Sequence, residues 1–213
     1  MADTLYLSLW YPNLRLEALP DKLIAVLGAF AAHGGEAKVY SATVWPVSWN
    51  EAPVFERVYG RMAPALGSEI SNEVPGAEPR EAVEEATELF HEDYAYEFQI
   101  GWSLWDLETE NAGPSVPRAA QNAPRSTQDD SLREMLDSRW VRGPRMVRVT
   151  GYGPLFDEGA YEQDGHIRID FGTDAPFLIE DADLDRVGAR HVEENVRQLV
   201  DLTAAVEKAS GAT

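Results

Sequence analysis

The chain has 213 residues, 44% of them apolar, enough to build one sizeable core, and we read residues 1–213 as a single domain. A net charge of −19, from 37 acidic and 18 basic residues, disfavours nucleic acid and anionic membrane surfaces as partners and favours basic proteins or cationic ligands. The absence of cysteine excludes disulfides, thiolate metal sites and a cysteine nucleophile, and fits a reducing, cytoplasmic setting.

The start, Met1-Ala2-Asp3-Thr4, has no basic region and no cleavable apolar segment, so no signal peptide is expected. Leu5 to Trp10 alternates Leu5, Leu7 and Leu9 with Tyr6, Ser8 and Trp10, and reads as a strand closed by Pro12. Pro20 and Asp21 open a helix running to His33, with Leu23, Val26, Leu27 and Phe30 facing inward and Gly34-Gly35 as its stop. The longest mainly apolar run, Leu23 to Ala32, lies in this helix and is about half of what a bilayer crossing needs.

Val39 to Trp49 predicts a second strand, with Pro46 marking an edge, bulge or end. Strand, helix and strand together predict a crossover unit with parallel strands. Glu51 to Met62 suggests a short helix, and Pro64 to Pro79 a loop. Pro79 then starts a helix with Glu81, Glu84 and Glu85 near its positive end and Val83, Ala86, Leu89 and Phe90 on its apolar side.

The strongest signal follows. From Tyr94 the alternate positions are Tyr94, Tyr96, Phe98, Ile100, Trp102 and Leu104, the period of two that marks a strand. Residues 108–130 carry three prolines and no aromatic residue, which predicts a long mobile loop, and Ser131 to Asp137 suggests a turn or two of helix. Alternation returns at Met146 to Thr150 and at His166 to Phe171, around a turn or bulge at Gly151-Tyr152-Gly153-Pro154. The last helix runs from an acidic lead-in at Glu180 to Asp185 to about Ala209, with Val192, Val196, Leu199, Val200, Thr203 and Val206 on its apolar side.

The expected architecture is α+β: a mixed, largely antiparallel sheet of about five strands with helices mainly on one face. Its element order resembles a ferredoxin-like split unit, an analogy of architecture that carries no function.

No catalytic motif stands out. Asp181, Asp183 and Asp185 alternate like a calcium loop, but Arg186 stands where the turn needs glycine and Val192 where a bidentate glutamate belongs. They fit better as carboxylates at the start of a helix. The four histidines (His33, His91, His166 and His191) lack metal-ligand spacing, so neither metal nor cofactor is expected. His166 and Asp170 share a strand face but lie roughly 13 Å apart along it. Six tryptophans and eight tyrosines are the least ordinary feature, and Trp10 and Trp105 fall off the apolar series of their strands.

Candidate binding residues are therefore Trp10, Trp105, Tyr152, His166 and Asp170. The leading expectation is a non-catalytic acidic module that binds a basic protein, in concrete form an immunity-type inhibitor of a cationic toxin or nuclease. The competing one is a small-ligand protein or hydrolase-like enzyme with a pocket near His166, Asp170, Tyr152 and His91. A homo-oligomer built through a sheet edge or the last helix is a third.

Overall fold

A computed structural model describes residues 3–34, 38–61, 76–107, 140–178 and 186–212. The expected mobile loop at 108–130, the turns at Ser131 to Asp137 and the Asp181, Asp183 and Asp185 series lie outside these residues. The zigzag of large side chains becomes β4 (Tyr94–Leu107), the longest strand. Tyr96, Phe98, Ile100, Trp102 and Leu104 are all fully buried along one side of it. The sheet around it has six strands in the order β1-β6-β5-β4-β2-β3, with β1 Thr4–Leu9, β2 Val39–Pro46, β3 Phe55–Val58, β5 Trp140–Tyr152 and β6 Ile167–Thr173.

Every pairing is antiparallel. The first helix, α1 (Leu19–Gly34), still joins two strands of the same direction, β1 and β2, but β6, β5 and β4 lie between them. The expected crossover thus spans three strands and yields no parallel pair, so the sheet is not mixed and the ferredoxin-like adjacency does not form. Residues 55–58 are strand rather than helix, because the chain folds back on β2 with Val44 opposite Phe55 and Ser41 opposite Val58. Gly151 and Tyr152 belong to β5, and the expected turn begins only after them, at Gly153 and Pro154.

Register stacks the apolar residues of successive strands into rows. Val44, Tyr96, Gly151, Ile167 and Leu9 form one, and Ala42, Phe98, Val149, Ile169 and Leu7 another. Three helices cover this side: α1, α2 (Pro79–Ala86) and α4 (Arg186–Ser210). Helix α1 buries Leu23, Val26, Leu27 and Phe30, the stripe its spacing predicts. It seats closely because Gly151 has no side chain: a Cβ there would meet the Leu23 methyls at 3.1 Å. Trp102 ties the layers together, edge-on to Phe30 at 6.1 Å and near Phe171 and Phe177 at 5.5 and 6.0 Å.

Two helix faces differ from their expected stripes. Helix α2 stops at Ala86, where the Thr87 hydroxyl donates back to the Val83 carbonyl at 2.7 Å, so Leu89 lies beyond it and is exposed. Helix α4 buries Gly188, Asn195, Leu202, Val206 and Ser210, while Val196 and Val200 face water. The reason lies at β4. Its pairing with β2 ends at Ile100, but the strand continues with β5 as the one described strand beside it. The Asn195 side chain bonds to the other edge, accepting the Trp105 N–H at 2.9 Å and donating to the Trp105 and Pro176 carbonyls at 2.8 Å. That polar anchor fixes the rotation of α4 in place of a valine stripe. Among the described residues no helix is long and apolar enough to cross a membrane.

Candidate functional site on the uncovered sheet face

Side chains at the alternate positions point away from α1, α2 and α4, and register orders them into two rows across the sheet. One row runs Val58, Ser41, Gln99, Arg148, Asp170, Tyr6; the next runs Glu56, Thr43, Glu97, Thr150, Arg168, Ser8. Glu97 sits in the middle, flanked by Thr43 and Thr150, and is only 9% exposed. Burial pushes its pKa up; the Arg148 guanidinium at 3.5 Å and a hydrogen bond from Gln99 oppose the shift, and the Asp170 charge adds to it. The Arg168 guanidinium pairs with Asp164 and lies over the exposed Tyr6 ring, 4.1 Å from its centre. Among the described residues this face is thus polar and charged in its middle, with the Tyr6 ring at one margin.

One end of this face carries a second small core. Trp49 meets Phe156 edge-on at 5.0 Å, with Trp45 and Tyr152 at 5.8 and 6.3 Å. Ala95, Tyr152 and Phe156 are buried there, with Trp45, Ala160 and Tyr161 packed against them. Three connections close over the cluster. The Val47 N–H donates to Asp93 O at 2.7 Å, Asp157 N–H to Val47 O at 2.7 Å, Leu155 N–H to Glu92 O at 2.9 Å and Gly153 N–H to Tyr94 O at 2.8 Å. Gly153 is required, since a Cβ there would collide with the Glu92 carbonyl oxygen. A short helix, α3 (Tyr161–Asp164), completes the segment before β6.

The residues expected from the sequence are dispersed over this frame. Tyr152 and His166 come side by side, the Tyr152 N–H donating to His166 O at 3.0 Å. Burial holds the Tyr152 phenol well above its usual range, helped by the Asp164 charge, so it stays protonated. His166 accepts the Tyr11 N–H through Nδ1 at 3.2 Å and lies between the Tyr161 and Tyr11 rings. Burial lowers its pKa, which suits a neutral ring acting as an acceptor. Asp170 stands further up the same face and accepts the Gly172 N–H at 2.8 Å.

Trp10 is exposed just past the end of β1. Trp105 lies elsewhere, on the β4–β5 ribbon, its ring 4.0 Å from His191 and 6.0 Å from the Arg142 guanidinium. His91 is exposed and paired with Asp93, while its N–H donates to the Tyr96 hydroxyl at 3.0 Å. Burial raises that phenol to about 12. Of the five, only Tyr152 and His166 are therefore brought together, and each is engaged in holding the fold.

Glu97, Trp49 and Phe156 were not singled out by sequence reasoning. Glu97 did carry a signal, a lone carboxylate inside the longest strand. Trp49 and Phe156 carried none, because the corner they share is assembled from three separate connections. Among the described residues no group of three or more histidines and carboxylates is placed to hold a metal ion. No protein-family model, no curated protein and no solved structure matches this chain.

Proposed function

We propose that this protein is a non-catalytic acidic binding module for a basic protein. The reading is carried by one observation: beyond the corner closed by residues 153–163, no described helix covers the second face of the sheet, and that face sets the exposed Tyr6 ring beside Asp170 at its β1 edge, with the largely buried Glu97 carboxylate in its middle. Aromatic anchors beside carboxylates are the chemistry of protein hot spots, and a charge of −19 steers a cationic partner inward. The concrete form is an immunity-type inhibitor that captures a cationic toxin or nuclease, with charge speeding association and apolar anchors slowing release. Selection from a random peptide library on the native chain, run at low and high salt, tests this reading. Enriched peptides rich in Lys and Arg, whose binding weakens with salt, are expected. Neutral or acidic winners, or binding indifferent to salt, overturn it.

A further inference from the structure

The three connections that close the aromatic corner combine apolar exposure, acidic charge and an unusual backbone conformation. Val47, Trp49 and Leu155 are 54%, 38% and 61% exposed. The 2.7 Å hydrogen bond from Asp157 to Val47 and the contact of Trp49 on Phe156 hold them in one patch. Residues 46–55, 92–94 and 153–163 contribute Glu51, Glu92, Asp93, Asp157, Glu158 and Glu162 and contain no Lys or Arg. The patch is therefore a small apolar surface on connections whose only charged residues are carboxylates.

Its backbone is also unusual. Val47, Asp157 and Glu158 have φ of 58°, 45° and 56°, in the left-handed region. Asp tolerates that region, but a β-branched residue is strained there. Val47 is held in it by two 2.7 Å backbone hydrogen bonds, one made by its N–H and one by its carbonyl, which any non-proline residue would make equally well. Its own side chain is more than half in water, so the fold gains little from a valine that its backbone resists. Strain of this kind points to use against another surface.

We infer that this corner is where the basic partner is gripped. An apolar side chain of the partner seats on Val47, Trp49 and Leu155, and flanking Lys or Arg residues meet Glu51, Glu92, Asp157 and Glu158. The inference rests on the basic-partner reading and locates its anchor. The hydrogen-bonded connections hold the patch in shape before contact, which limits the ordering cost of binding.

The probe is the tightest cationic peptide from the selection described above, titrated against the full chain by tryptophan fluorescence. Leu155→Ala, at an exposed position, is expected to weaken binding about tenfold. Val47→Asn is expected to weaken it severalfold while raising the thermal midpoint, because asparagine accepts a left-handed backbone; the loss is then not one of folding. Val200→Ala, on the exposed side of α4, leaves binding unchanged. Wild-type affinity in both corner variants overturns this site and leaves the basic-partner reading standing. A lowered midpoint for Val47→Asn overturns the strain on which the site was inferred. A selection that yields no cationic peptide overturns the basic-partner reading itself, and the site with it.

Discussion

Glu97 is a carboxylate that its surroundings hold partly against its charge. Its folded pKa lies above the ordinary carboxylate value of 4.5 because burial outweighs the attraction of Arg148. Above that ordinary value the unfolded chain gives up the proton while the folded protein still keeps it. The Glu97 contribution to stability is therefore greatest in acid and is lost as pH rises through the folded pKa. Glu97→Gln is accordingly expected to raise the midpoint of denaturant unfolding at neutral pH, with the gain shrinking as pH falls toward 4.5. A destabilised Gln variant at neutral pH would mean that the Arg148 pair outweighs the cost of burying the charge. The residue remains on a face where an incoming guanidinium or ammonium group would find a carboxylate already stripped of most of its water.

At the level of elements, α4 separates what is apolar from what is buried. Leu202 is 1% exposed and Val200 is 59% exposed, although the spacing of valines had placed Val200 inward. Leu202→Ala is expected to cost about 3 kcal/mol of unfolding free energy and Val200→Ala less than about 0.5 kcal/mol, both measured by urea titration. Equal losses would show that α4 packs on its valine side. The same helix shows where reading the sequence reaches its limit. Periodicity was sufficient for β4, β6 and α1, whose apolar positions answer to one flat or one cylindrical neighbour. It was only partly sufficient for α4, where Val206 is buried and Leu199 packs on the core as spaced but Val196 and Val200 face water, because a polar residue, Asn195, bonds to a strand 90 positions earlier. It failed at β3, four residues with one apolar residue facing the helices, because pairing with β2 rather than composition makes that segment extended. The candidate site was less legible still: Tyr152 and His166 could be named, but the corner beneath them depends on loops whose meeting leaves no periodic trace.

For the molecule as a whole, charge is the governing fact. With 37 acidic residues against 18 basic ones, most carboxylates have no cation to pair with. The pairs that do form, such as Lys38 with Glu78 and Arg142 with Glu194, lie at the surface, where each contributes little. Mutual repulsion of the excess carboxylates works against the compact state, and salt screens it over roughly 10 Å at 0.1 M. The thermal midpoint is therefore expected to rise by a few degrees, about 2–5 °C, between very low and physiological salt, as read by circular dichroism. A falling midpoint would mean that the surface pairs outweigh the repulsion. Salt thus acts in opposite directions on the fold and on capture of a cationic partner, which separates the two in one titration series.

Asn195 has a consequence at this scale too. Beyond Ile100 no described strand pairs with the outer rim of β4, the kind of rim along which identical chains lace together into fibres. One carboxamide, presenting an acceptor and a donor at the spacing a neighbouring strand would offer, occupies that rim at Trp105. The side chain that orients a helix thus also takes up the two backbone groups at Trp105 that a further strand would bond.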